Sequence, residues 1–165
     1  MIWTLHQAVL GLHILLAITW VGGVLFVAWG VFPASHILTY EHQRLFLQKM
    51  MKNTHWILTS IGIGVIASGI MLGTLLGPIH SYDTLVGTPY GQKWLTAIIV
   101  GIITLIWGVV VGYREAMKLF ANKQLWTEAE RGNKQALENA LFKMASLESV
   151  EVIGFIALIF IMISF

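Results

Sequence analysis

Apolar positions gather into four stretches, Leu5–Phe32, Thr54–Leu76, Gln92–Tyr113 and Ser149–Phe165, with few charges inside them. An apolar run of about 18 residues or more is long enough to cross a bilayer as a helix. The pattern therefore predicts four membrane spans in a single domain covering residues 1–165. The fourth stretch is short, and its helix is expected to begin earlier, between Leu141 and Glu148. Pro33 is expected to end the first span. Beyond it Ile37, Leu38, Leu45, Phe46 and Met50 interleave with polar residues as in an amphipathic helix leading into span two. Leu119, Phe120, Leu125, Leu137 and Leu141 repeat that pattern after span three, and Gly132-Asn133 marks a break, so a helical hairpin is predicted there. The segment Gly77–Gly91, with Gly77-Pro78 and Thr88-Pro89, reads as turns. The expected fold is all-α, an integral membrane four-helix bundle with amphipathic cytoplasmic helical extensions.

Composition supports this class: 57% of residues are hydrophobic and 11% charged, with a mean hydropathy of +0.78. The first stretch lacks the short apolar core and small-residue cleavage site of a secretory signal, so it is expected to remain in the mature protein. Charge then orients the chain. Nine of the ten basic residues lie between spans one and two or between spans three and four, leaving Lys93 alone on the other side. The positive-inside rule makes the basic side cytoplasmic and both termini external. Acidic residues dilute the basic segments, which read as solvated helix faces rather than a nucleic-acid surface.

With no cysteine, disulfides, thiolate metal sites, iron–sulfur clusters and covalent haem attachment are excluded. Any metal must be held by other side chains or by a cofactor. Histidine is then the informative residue. His13 lies well inside the first span, where an ionisable side chain is costly unless paired, ligated or facing a cavity. His6 and Trp20 lie seven residues to either side of it, on the same helical face. His13 reads either as an axial metal ligand or as a hydrogen-bond partner of a neighbouring helix. At a rise of about 1.5 Å per residue, His55 falls roughly 20 Å to the cytoplasmic side of His13, while Lys93 lies within about 7 Å of its depth. His55 is expected to serve a second site or to sit at the interface, His36 and His42 to be solvated, and His6 and His80 to belong to the external half. Trp3, Trp56 and Trp94 suit interface anchors. Gly62, Gly69 and Gly73 share their spacing with Gly101, Gly108 and Gly112, a rhythm that serves tight helix packing or leaves a groove for a flat ligand.

Gly11-Leu12-His13 followed by Ile18-Thr19-Trp20-Val21-Gly22-Gly23 resembles the first-helix signature of HemJ-type protoporphyrinogen oxidases and the related CopD-type copper-resistance membrane domains. Gln92-Lys93-Trp94-Leu95 and Glu148 extend the resemblance to the third and fourth helices. The chain departs from the HemJ pattern at Ala28-Trp29-Gly30, where that pattern has Pro-Arg, and at Ser149-Val150 after Glu148, where it has Val-Pro. The resemblance implies a b-type haem inside the bundle, with His13 as axial ligand and Lys93 as second ligand or active-site cation. A prokaryotic inner membrane is the implied setting.

Two functions are expected from these readings. The first is a haem oxidoreductase holding one or two haems b on His13 and His55, with Trp20 packing on the macrocycle. It would act on oxygen, nitric oxide or a porphyrin, or exchange electrons with membrane quinone. The second is copper uptake or resistance, with His6, His13 and His80 as nitrogen ligands and Met71 as a thioether. A homodimer is compatible with either.

Overall fold

The computed structural model describes residues 4–165; Trp3 lies outside them. Six helices and no strand make up the described residues: α1 (Leu5–Ile37), α2 (Tyr40–Gly73), α3 (Tyr82–Gly87), α4 (Pro89–Ala121), α5 (Lys123–Glu130) and α6 (Gln135–Ile163). The long helices α1, α2, α4 and α6 form an antiparallel four-helix bundle, and each is long and apolar enough to cross a membrane. Their 29 to 34 residues exceed the roughly 20 that a bilayer core requires. α2, α4 and α6 each carry amphipathic and apolar pattern on one continuous helix, whereas α1 ends at Ile37. Large apolar side chains such as Leu15, Ile18, Phe26, Ile103 and Ile159 point outward, a surface that suits lipid rather than water.

α1 starts at a capping box in which Thr4 and Gln7 satisfy each other's backbone N–H groups. Pro33 does not end it. A proline has no N–H to return to the preceding turn, and α1 absorbs the loss by a π-helical turn over Val27–Val31, after which the N–H of Phe32 bonds Val27 O. The chain then runs through Pro33 to a 3₁₀ turn at Ser35–Ile37. A second π segment, Trp107–Gly112, lies in α4. The segment after α2 is also more ordered than its glycines and prolines suggest. Ser81 caps the short helix α3, and Thr88 caps α4, whose first residue is Pro89.

Two helix pairs interlock through glycine. Trp20 and Leu105 pack onto Gly62, where a methyl group would meet Leu105 at 2.8 Å and Trp20 at 3.0 Å. Thr104 packs onto Gly154 so closely that a side chain there would overlap its hydroxyl. Between these contacts Trp20 and Phe155, 3% and 1% exposed, meet edge to face with ring centroids 5.0 Å apart. They plug the middle of the bundle.

The basic end has its own core beyond the spans, where Leu47, Phe120, Trp126, Leu137 and Met144 are buried together. Trp126 donates to Leu119 O, and Arg44 joins Glu41 through two hydrogen bonds and Phe120 O through a third. The hairpin turn expected at Gly132 is present, with Gly132 at φ 103° in the left-handed region that favours glycine. Asn122 adds an unforeseen break between α4 and α5 by capping α5.

Candidate functional site

The Trp20–Phe155 plug divides the bundle interior into two layers that carry polar chemistry. Toward the termini lies His13. Its Nδ1 is 2.9 Å from Ser68 Oγ on α2, and the same hydroxyl lies 2.7 Å from Gly64 O and 3.0 Å from Val65 O. A serine has one proton to donate, and the backbone carbonyl one turn back takes it. Ser68 therefore accepts from His13, which fixes the neutral imidazole with its proton on Nδ1 and its lone pair on Nε2. Among the described residues Nε2 has no hydrogen-bond partner, and the ring is half-buried. Both readings of His13 are thus present in one side chain: a partner on the neighbouring helix at one nitrogen, and a preset ligand atom at the other.

The residues expected to join it are elsewhere. Lys93 donates to the carbonyl of Ser164, so its ammonium caps the C-terminus of α6, where a cation is favourable. Trp94, its neighbour, donates to Gly69 O at 3.0 Å. His55 lies thirteen residues before Ser68 on α2, or about 20 Å along the helix, so the depth separation read from the sequence holds. His6 and His80 are exposed near the end that carries the chain termini. Among the described residues no three His, Asp or Glu side chains come close enough to hold a metal ion. The copper ligand set His6, His13 and His80 is not assembled.

The glycine stripe of α2 is also filled from within the protein: Trp20 lies over Gly62, His13 over Gly69 and Trp94 over Gly73. No flat groove remains along it. Gly108 and Gly112 of α4 instead leave room for two glutamates of α6, Glu151 and Glu148.

Those glutamates belong to the second layer, a cavity of about 410 Å³ on the basic side of the plug. Trp20 forms one limit and Leu47, Phe120 and Met144 the other. Both π segments line it, in keeping with the frequent placement of such turns at functional sites. His55 stacks on Tyr113 at its wall, with centroids 3.7 Å apart and planes 16° from parallel. Among the described residues, neither glutamate has an ion-pair or hydrogen-bond partner; the ion pairs are Arg44–Glu41 and Lys118–Glu115.

No motif marks Ser68 or Glu151, and Glu148 stands out only through the family resemblance. A carboxylate inside the stretch Ser149–Phe165 was itself the signal for Glu151. Nothing in the pattern marked Ser68, because its role depends on the register of α1 against α2.

The chain is thus an all-α bundle with four helices able to span a membrane, an oriented histidine on one side of its plug and an acidic cavity on the other. Compared with protein-family models, curated proteins and solved structures, it finds no match.

Proposed function

We propose that this protein is a membrane-embedded haem b oxidoreductase with His13 as the axial ligand. The observation that carries the reading is the Ser68 contact. Metal-bound histidines characteristically donate their second ring N–H to a neighbouring acceptor, which fixes the tautomer and aims the ligand nitrogen. His13 has that arrangement, in a helix apolar enough to cross a membrane. The motif Gly11-Leu12-His13 with Trp20 and its likeness to HemJ- and CopD-type proteins point the same way.

In this reading His13 is the protein's ligand to the iron and the macrocycle lies outside the α2 glycine stripe, which Trp20, His13 and Trp94 fill; the Lys93 ammonium meets the Ser164 carbonyl instead. His55 lies too far along α2 to share the iron. When bound, the haem supplies one-electron redox chemistry, and the protein tunes it through the axial ligand and burial. In this reading Ser68 aims the imidazole and the apolar faces of α1 and α2 exclude water. The basic end faces the cytoplasm by the positive-inside rule, with the termini external in a prokaryotic inner membrane. Quinone, a small gas or a porphyrin is the reaction partner.

Titrating the purified protein with haemin tests the assignment. The expected result is saturation near one equivalent and a b-type pyridine haemochrome, with a five-coordinate spectrum because neither Lys93 nor His55 completes the iron. A protein that takes up no haem and instead binds copper would overturn it.

A further inference from the structure

The cavity below the plug has a chemistry distinct from that of His13. Its walls are mostly apolar and aromatic, with Trp20, Trp29, Phe32 and Tyr113 among them. Besides Tyr113, its ionisable residues are Glu148, Glu151 and His55, and no lysine or arginine lines it among the described residues. Two carboxylates three residues apart on α6 lie within a turn of one another. In a low-dielectric interior such a pair is costly unless a positive charge or shared protons compensate it. Among the described residues no lysine or arginine in the cavity supplies that charge, and His55 forms no ion pair with either glutamate.

Volume narrows the choice of what does. About 410 Å³ is far more than a bare ion needs and falls in the range of small-molecule pockets. A metal ion also lacks the three converging ligands it requires. Aromatic walls suit a cation, which the face of a ring attracts through its quadrupole. The way in is lateral. Trp29 on the π turn of α1 and Ile153 on α6 both line the cavity, yet are 71% and 63% exposed on the outer surface. The mouth therefore opens between α1 and α6 toward the lipid-facing side of the bundle.

We propose that this cavity binds a lipophilic organic cation, an amphipathic amine or quaternary ion. It enters from the bilayer between α1 and α6 and is held by Glu148 and Glu151 against the aromatic walls. Haem binding at His13 plays no part in the site, because the plug separates the two.

Equilibrium dialysis of the purified full-length protein in detergent with tetraphenylphosphonium tests this. The expected result is saturable binding at one site per chain, undiminished in His13→Ala. Removing one partner of a buried charge pair typically costs at least about 30-fold in affinity, so Glu151→Gln should weaken binding by that factor. Triphenylphosphine oxide, neutral and similar in shape, should not compete. Circular dichroism of Glu151→Gln checks that the bundle is intact; if it is not, Glu148→Gln, whose side chain lies one turn nearer the basic end, is read in its place. Equal binding to intact glutamine variants would overturn the proposal. Displacement of the probe by triphenylphosphine oxide or by a short-chain quinone would also overturn it and assign the cavity to a neutral ligand.

Discussion

Replacing Ser68 with alanine separates orientation of the His13 ring from its presence. The variant deletes the hydroxyl 2.9 Å from Nδ1, leaves only the Val65 backbone beside the ring, and keeps α1 and α2 otherwise in contact through Trp20 on Gly62 and Leu16 on Gly64. Loss of an outer partner of a metal-bound histidine costs about 10- to 100-fold in affinity, or about 1.4 to 2.8 kcal/mol. The structural cost is smaller, since hydrogen bonds between membrane helices average about 0.6 kcal/mol. Haem affinity of Ser68→Ala should therefore fall by one to two orders of magnitude while the unfolding midpoint barely moves. Ser68→Thr, which keeps a hydroxyl, should restore most of the affinity. The assay is haemin titration followed at the Soret band, beside denaturant unfolding followed by far-ultraviolet circular dichroism. Unchanged haem affinity in a folded Ser68→Ala variant would refute the claim that this contact aims a ligand.

Further outcomes follow from the same geometry. Trp20→Ala removes the larger half of the plug and should destabilise the bundle by about 3 to 5 kcal/mol, measured by denaturant unfolding in detergent. Lys93→Met should leave haem content unchanged but speed amide exchange at the end of α6, around Ile161 to Phe165, where the lysine caps the helix; loss of haem in that variant would return Lys93 to the iron. Reporter fusions should read cytoplasmic after Glu138 and external within residues 81–88, and an inverted result would reverse the orientation proposed from charge.

The four helices are legible in the sequence because long apolar runs leave few alternatives. Their lengths are not, because α2 passes from an amphipathic to an apolar pattern at Thr54 without a change in backbone. Pro33 misleads for a related reason: a π turn can accommodate a proline that ordinary helix rules treat as a stop. His13 stands out as an ionisable residue in an apolar run, whereas its partner Ser68 is set by helix register. Lys93 lies near His13 in depth, but its hydrogen-bonding partner is a main-chain carbonyl 71 residues away, which no side-chain motif encodes. Glu151 was readable, as a charge two residues inside an expected span, and the acidic cavity follows from it once Gly108 is seen to leave room for its carboxylate.

The assignment of His13 as the haem ligand is tested most directly by His13→Gly with imidazole added back. The variant removes the ring while leaving a space of its own shape beside Ser68. Purified His13→Gly with an intact helical spectrum should carry little haem, and imidazole in the buffer should restore a b-type spectrum close to that of the unaltered protein. Full haem retention by His13→Gly without imidazole would contradict the account.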